Sequence, residues 1–310
     1  MLSLTEDQVR QLADVDVVIE ALRTAFARDF SQTLEMPVRS SLYLPNNGVL
    51  LLMPAYDSCL GLAGIKKVTV TRAGVNASYE LLDPWNGMPL ARMEANWLTD
   101  LRTAATSAVV TSVLARSDAR TLGMFGTGRQ AEAHIAILQH VRKFTHVRVC
   151  GSGRNDVQKF CQIMSDRYRV QVDAADAESC IRQSDVVCTC TTSRVPVFDG
   201  HWLKPGMHLN LIGAFQPDSH EVDEETVRRS RVVVDTYAGA WAEAGDLLIP
   251  LREACIQKSH ILADLHELLS GKKRVRTVPD DITLFKSLGC ALEDLVTAKL
   301  VYERAMRTQA

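Results

Sequence analysis

The sequence feature that most constrains the fold is a glycine-rich turn near the middle of the chain. It reads GTGRQA from Gly126 to Ala131 and fits the pattern G-x-G-x-x-A. The turn follows the apolar segment TLGMFG and opens an amphipathic stretch from Arg129 to about Val141. Glycines placed in this way let the backbone approach a pyrophosphate at a helix N-terminus. The context therefore predicts a dinucleotide-binding strand, turn and helix, with a glycine turn that holds no ligand as the alternative.

Downstream of Arg120, strand-like and helix-like segments alternate. The strand-like segments are TLGMFG, HVRVCG, YRVQVD, DVVCTC, MHLNLIG and RVVVDT. Helices are expected from Arg129, from Asp156 and near Ala177. Strands separated by helices of this length form parallel βαβ units. The pattern predicts a doubly wound parallel sheet over residues 117–284.

The two ends of the chain have a different pattern. Thr5 begins a capping-box sequence ahead of a helical stretch, and residues 36–93 break into short segments typical of an antiparallel sheet. A helix is expected over residues 96–115, and a last helix carries an apolar stripe from Leu292 to Leu300. The predicted fold class is α/β, with the doubly wound sheet inserted into an α+β domain made of residues 1–116 and 285–310.

Composition limits the class of partner. The chain has 35 Lys and Arg against 37 Asp and Glu, with 46% hydrophobic and 23% charged residues, which excludes a disordered or collagen-like chain. No block of five basic residues is present, so neither nucleic acid nor a membrane surface is an expected partner. We expect a small-molecule partner.

The cysteines and the N-terminal segment predict a cytoplasmic protein. Eight cysteines are scattered, mostly in apolar runs, and are interpreted as reduced core thiols. Cys188 and Cys190 are too close together and too isolated for a metal site, so no metal is expected. The first residues are acidic and amphipathic, and no window reaches the roughly 18 apolar residues of a membrane span.

The end of the second predicted strand indicates which dinucleotide is bound. An acidic residue there would bind the ribose 2′-hydroxyl of NAD, but the chain has Cys150, followed by Ser152 and Arg154. A hydroxyl and a guanidinium suit a 2′-phosphate, so NADP(H) is favoured over NAD(H). The alternative is that Arg154 is a solvated residue of the next helix.

Lys66 lies in a segment, GLAGIKKVTVTR, whose alternation gives the two faces of a strand. Lys66 shares the more apolar face with Gly64 and Val68, whereas Lys67 points to the opposite face. A lysine drawn into low dielectric becomes a plausible proton donor or carboxylate anchor. A surface lysine that extends its ammonium to water is the alternative.

Several motifs resemble those of the ornithine cyclodeaminase/mu-crystallin family, in the family's order and over nearly the whole chain. They are MPAY (53–56), GIKKV (64–68), LTDLRTAATSA (98–108), GTGRQAEAH (126–134), LNLIGAFQPDSHEVD (209–223) and FKSLGCALEDL (285–295). The resemblance implies a Rossmann domain joined to a substrate-binding and dimerisation domain built from both termini. It also implies a homodimer and a nicotinamide cofactor that acts on a small amino or imino acid.

The resemblance implies roles for individual residues. Arg39 and Arg102 match the family's clamp on the substrate carboxylate, and Lys66 matches its catalytic-site lysine. The residues expected to bind the cofactor are Gly126, Thr127, Gly128, Arg129, Gln130, Ser152, Arg154, Thr189 and Thr191. Thr189 and Thr191 could equally be plain strand residues.

One departure from the family bears on the reaction. Where the cyclodeaminases carry an aspartate that activates water, alignment on Gly213 and Pro217 places Phe215, which cannot take a proton. Asp218 lies three residues on, in a PDxxE pattern that resembles the family's imine and ketimine reductases, and its part in proton transfer stays open.

The expected function is reduction of a cyclic ketimine carboxylate, Δ1-pyrroline-2-carboxylate or Δ1-piperideine-2-carboxylate, to L-proline or L-pipecolate by NADPH. The alternatives are an amino-acid dehydrogenase or imine reductase acting on open-chain substrates, an ornithine cyclodeaminase, and a crystallin-like protein that binds NADP(H) without turnover.

Overall fold

The structure, a computed structural model, describes residues 1–309. It divides into two compact units, residues 1–106 with 289–309 and residues 107–288. The sequence placed the boundaries at 116/117 and 284/285. The first observed divide, after residue 106, falls inside the helix Asn96–Leu114. The second, after residue 288, follows the strand Ile282–Lys286, which belongs to the second unit. Neither divide coincides with the end of a local sequence pattern.

The secondary-structure elements follow in chain order. The strands are β1 Leu2–Leu4, β2 Leu34–Glu35, β3 Ser40–Leu44, β4 Gly48–Asp57, β5 Leu62–Thr71, β6 Gly74–Leu82, β7 Pro89–Glu94, β8 Thr121–Phe125, β9 His146–Cys150, β10 Gln171–Ala174, β11 Val186–Thr189, β12 His208–Leu211, β13 Ser230–Val234, β14 Ile261–Asp264 and β15 Ile282–Lys286. The α-helices are α1 Glu6–Leu12, α2 Val15–Ala27, α3 Asn96–Leu114, α4 Arg129–Leu138, α5 Arg154–Tyr168, α6 Ala177–Arg182, α7 Glu224–Arg229, α8 Tyr237–Glu243, α9 Gly245–Arg252, α10 Leu265–Leu269 and α11 Ala291–Gln309.

After β1, the first unit has two helices where the sequence predicted one. The capping box forms as predicted, since the Thr5 hydroxyl accepts from the Gln8 amide and the Gln8 side chain accepts from the Thr5 amide. The helix stops because Asp14 caps a new one, accepting from the Val17 amide at 3.4 Å.

The sheet of the first unit is mostly antiparallel, which confirms the prediction for residues 36–93. Its order is β1-β7-β6-β5-β4-β2, with β3 also paired to β4, and only β1 joins its neighbour in parallel. Helix α11 packs against β4, β5 and β6, so the sheet face beneath it is buried.

The sheet of the second unit is parallel throughout, which confirms the doubly wound prediction. Its order is β10-β9-β8-β11-β12-β15-β13-β14. The strand order reverses between β8 and β11, and doubly wound folds bind ligands outside the carboxyl ends of the strands at this point. Among the helices within residues 1–309, none combines the length and apolar character needed to cross a membrane.

Candidate functional site

In the first unit, Lys66 occupies the buried face of β5, as its alternation predicts. Its side chain is 1% exposed, whereas Lys67 is half-buried on the other face. Met53 on β4 and Tyr79 on β6 are its direct neighbours across the sheet. The ammonium therefore lies in the interior of the unit, where a charged group needs partners.

Two carboxylates of α11 provide those partners. The Lys66 ammonium donates to Asp294 Oδ1 at 2.7 Å, and Arg102 Nη1 donates to Glu293 Oε2 at 2.7 Å. Arg102 Nε lies 3.0 Å from the same Oδ1 of Asp294. All four side chains are buried, so two cations balance two anions away from water.

Glu293 and Asp294 were not identified as site residues from the sequence. Their signal in the sequence is an adjacent acidic pair inside an apolar helical run, ALEDLV, which belongs to the last of the motifs shared with the family. Acidic residues are almost never fully buried unless they are paired, so fully buried acids of this kind point to cationic partners elsewhere in the fold.

The Lys66 environment lowers its pKa to about 8. Burial is the main cause, because it penalises the charged form, and the neighbouring Arg102 adds to the effect. Asp294 and Glu293 act in the opposite direction and keep the ammonium form accessible. A lysine with this pKa can give up a proton near neutral pH.

Tyr79 brings a phenol to the same cluster. Its hydroxyl is buried and has no hydrogen-bond partner among residues 1–309, and the same is true of Asp294 Oδ2. A Cβ added at Gly64 would lie 2.2 Å from the Tyr79 hydroxyl, so a side chain at position 64 would displace the phenol. Burial and the Asp294 charge raise the tyrosine pKa well above its ordinary value, so the phenol stays neutral. Unpartnered buried oxygens suit a polar ligand or water.

Arg39 lies half-buried in the segment between β2 and β3. Asp294 joins Lys66 and Arg102 through one carboxylate oxygen. The role of Arg39 as a ligand of the substrate carboxylate stays a prediction.

In the second unit, the glycine-rich turn has the shape that a dinucleotide requires. Gly126 has φ +108°, and a Cβ there would lie 2.4 Å from the Cys190 carbonyl oxygen. A Cβ at Gly128 would meet no described atom within 4 Å, and no side chain of residues 1–309 caps the first turn of α4. Gly128 thus borders open space at a helix N-terminus, which fits a pyrophosphate.

Beside β9 lies a groove of about 620 Å³. Its lining includes Arg154, Gly151 and Asp176. Ser152 directly follows Gly151 in the sequence, and its side chain is exposed. The carboxylate of Asp176, which the sequence reasoning missed, accepts from the Ser179 amide and hydroxyl at 2.8 Å, and these bonds lower its pKa. The groove therefore presents both a guanidinium and a charged carboxylate.

Thr189 and Thr191, which are predicted to bind the cofactor, share one buried hydrogen-bond partner. Their hydroxyls donate to the buried carboxylate of Glu221, at 2.7 and 2.8 Å. Sequence reasoning missed Glu221 and also the buried ion pair between Lys286 and Asp246, which are 2.9 Å apart. These residues lie 90 or more positions after the glycine turn in sequence (221 − 131 = 90), and no local pattern relates them to it.

Phe215 and Asp218 lie on the loop after β12. Phe215 is half-buried and packs against the apolar core of the second unit. Asp218 is exposed and forms a surface ion pair with Arg194. A carboxylate held at the surface in this way is a poor candidate for proton transfer in a buried site.

Comparisons with known proteins agree along the whole length of the chain. The model of the ornithine cyclodeaminase/mu-crystallin family matches residues 1–309. A Δ1-pyrroline-2-carboxylate reductase of Bacillus cereus is 32% identical over 99% of this chain and 97% of its own length. The structure of the Thermococcus litoralis Δ1-pyrroline-2-carboxylate reductase in complex with NADH and L-proline is 35% identical, with a TM-score of 0.97, covering 100% of this chain and 99% of that one. An archaeal alanine dehydrogenase dimer with bound NAD is 31% identical, with a TM-score of 0.93, covering 100% of this chain and 97% of that one.

Proposed function

Because the chain belongs to the ornithine cyclodeaminase/mu-crystallin family, we propose that it is an NAD(P)H-dependent ketimine reductase. Its substrates would be Δ1-pyrroline-2-carboxylate or Δ1-piperideine-2-carboxylate, reduced to L-proline or L-pipecolate. The observation that carries the proposal is the buried Lys66 ammonium with its pKa of about 8, held beside Arg102 by the carboxylates of α11. The relatives that are Δ1-pyrroline-2-carboxylate reductases support the substrate class.

The residues of the first unit would bind and protonate the substrate. Arg102 engages Glu293 and Asp294 through two of its three nitrogens, so we assign Nη2 to the substrate carboxylate, with Arg39 as the second ligand. Lys66 would keep the ring nitrogen protonated, which makes the adjacent carbon electrophilic. Fixing the carboxylate and the ring nitrogen together orients that carbon.

The residues of the second unit would hold the cofactor, which supplies a hydride to the imine carbon when it is bound. Gly126, Thr127, Gly128, Arg129 and Gln130 would bind the pyrophosphate. Thr189 and Thr191 remain predicted cofactor residues, but both of their hydroxyls and the Thr191 amide already bond to Glu221.

We further propose that NADPH is preferred to NADH. Arg154 lines the groove beside β9, and Ser152 is two residues before Arg154 in the sequence. Asp176 in the same groove, and the bound NADH and NAD of the two structures compared, favour the opposite preference. A homodimer is proposed from the dimeric alanine dehydrogenase.

Amino-acid dehydrogenase activity is the second candidate, favoured by the likeness to the alanine dehydrogenase. A substrate panel separates the candidates: cyclic imino acids on one side and open-chain keto acids with ammonia or amines on the other, each with NADPH and followed at the nicotinamide absorbance. Turnover of the cyclic imino acids at least roughly tenfold above the open-chain pairs is expected, and the reverse order would reject the ketimine assignment.

A second assay tests the cyclodeaminase alternative. With apolar Phe215 where an acid is needed to activate water, L-ornithine and NAD⁺ should release no ammonia above background. Catalytic formation of proline and ammonia would overturn the reductase assignment. Binding of NADPH with no turnover in either assay would favour the crystallin-like alternative.

A further inference from the structure

We propose that Glu221 is a positioning residue for the nicotinamide dinucleotide, holding the ends of two parallel strands against the glycine-rich turn. The inference rests on the proposed cofactor but not on the proposed substrate. Glu221 does not belong to the glycine-rich turn, and its carboxylate lies within the second unit with no exposed surface.

The Glu221 carboxylate accepts five hydrogen bonds from two separate segments. Oε1 accepts from the amide and the hydroxyl of Thr191, both at 2.8 Å. Oε2 accepts from the Thr189 hydroxyl at 2.7 Å and from the amides of Gly213 and Ala214 at 2.7 and 3.3 Å. The carboxylate therefore ties the end of β11 to the loop that follows β12.

The segment tied in this way is in contact with the dinucleotide turn. The Cys190 amide donates to the Phe125 carbonyl at 2.8 Å, and the Cys190 carbonyl lies against Gly126, where a Cβ would be 2.4 Å from it. On the other side, a Cβ at Gly213 would lie 2.1 Å from the Thr191 carbonyl. Because both glycines leave so little space, a small shift of residues 189–191 must move the turn that begins at Gly126.

A buried ion pair fixes Glu221 in turn. Asp246 Oδ1 accepts from the Glu221 amide at 2.6 Å, and Asp246 Oδ2 lies 2.9 Å from the Lys286 ammonium. Lys286 also donates to the Ala214 carbonyl at 2.6 Å. The loop after β12 is thus held from both sides, by Glu221 through its amides and by Lys286 through a carbonyl.

The test compares Glu221→Gln with Asp185→Asn. The glutamine has the shape of glutamate, but its NH₂ group must face a donor among the five, so the tie is broken. Asp185 directly precedes β11 at the opposite end of the strand, where it accepts from the amides of Arg120 and Thr121 at 2.8 and 3.0 Å and from Arg116 at 3.0 Å. Each variant loses hydrogen bonds to a carboxylate, which is buried at Glu221 and half-buried at Asp185. Only the Glu221 bonds involve the segment that contacts the glycine-rich turn.

Binding is measured by fluorescence titration with NADPH and with NADH, and by the thermal shift that each nucleotide produces. We expect both variants to unfold at a lower temperature without nucleotide, and Glu221→Gln alone to bind NADPH roughly tenfold more weakly than wild type. The KM for NADPH should rise by a similar factor, while the KM for the imino acid should change little. If the glutamine variant does not fold, Thr191→Val replaces it in the test, because it removes one of the five donors. Thr191→Val should weaken NADPH binding by a smaller factor.

Wild-type nucleotide affinity in Glu221→Gln, or an equal loss in Asp185→Asn, would overturn the inference. Because binding is measured without substrate, the result stands even if no cyclic imino acid is turned over. Failure of the substrate panel therefore rejects the proposed reaction and leaves the role of Glu221 to be decided by the titration.

Discussion

The ammonium of Lys66 and the carboxylate of Asp294 are joined by a hydrogen bond of 2.7 Å, although 228 residues separate them in the chain. Strand β5 brings the lysine to the buried face of the sheet, and helix α11 brings the aspartate over it. The pair sets the protonation of Lys66, because burial lowers the lysine pKa to about 8 and Asp294 opposes a larger fall.

Lys66→Ala should lose mainly turnover, because the residue that protonates the imine nitrogen is removed. General acid assistance is worth about 10²–10⁴-fold, and the loss of kcat should lie in that range. Lys67→Ala is the matched control, since Lys67 lies on the opposite face of the same strand and should behave nearly as wild type. The measurement is steady-state kcat for both variants. A large loss of kcat in Lys67→Ala together with near wild-type kcat in Lys66→Ala would contradict the assignment.

Asp294→Asn should shift the pH profile of the reductive reaction. The acid form of Lys66 is present below its pKa, so reductive kcat in the wild type should fall as the pH rises through about 8. Without the Asp294 charge the pKa of Lys66 falls further, and the descending limb should move to lower pH.

The control for this profile is Asp57→Asn. Asp57 is a fully buried carboxylate on β4 of the same sheet, and it pairs with Arg28 rather than Lys66. Its loss should cost stability but leave the limb in place. A limb that stays at the same pH in Asp294→Asn would show that Lys66 is not the group that titrates.

Arg154→Asp should reduce or reverse the preference for NADPH. The change replaces a guanidinium in the groove beside β9 with a carboxylate that repels a 2′-phosphate and accepts from a ribose 2′-hydroxyl. The ratio of kcat/KM for NADPH to that for NADH measures the effect. Lys159→Asp makes the same change of charge on an exposed residue of α5 and should leave the ratio unchanged. Equal use of NADH and NADPH by the wild type would refute the assignment.

Tyr79→Phe should stabilise the ligand-free protein. The change removes a buried hydroxyl that has no partner within residues 1–309. Removing it should raise the free energy of unfolding by about 1 kcal/mol. Tyr237→Phe is the contrasting control, because the Tyr237 hydroxyl donates to Glu267 at 2.7 Å and its loss should destabilise. Urea unfolding of the two variants is the measurement, and destabilisation of both by a similar amount would show that the Tyr79 hydroxyl is satisfied by water.

The sequence alone determined the features that depend on neighbouring residues. Alternation along β5 placed Lys66 and Lys67 on opposite faces, since the side-chain period of a strand is two. The turn at Gly126 could be predicted because its backbone conformation, with φ +108°, favours glycine. Strands separated by helices determined the parallel sheet, because the connection between parallel strands must cross over it.

Only the tertiary structure decided which charged groups meet. The pairing of Lys66 with Asp294 depends on how α11 crosses β5, and no local pattern carries that information. The same holds for Glu221, whose five donors come from the ends of two strands that are adjacent only in the sheet. Buried ionic contacts are set by topology and by the requirement that each charge find a partner, so the sequence could supply the residues of the site but not their partners.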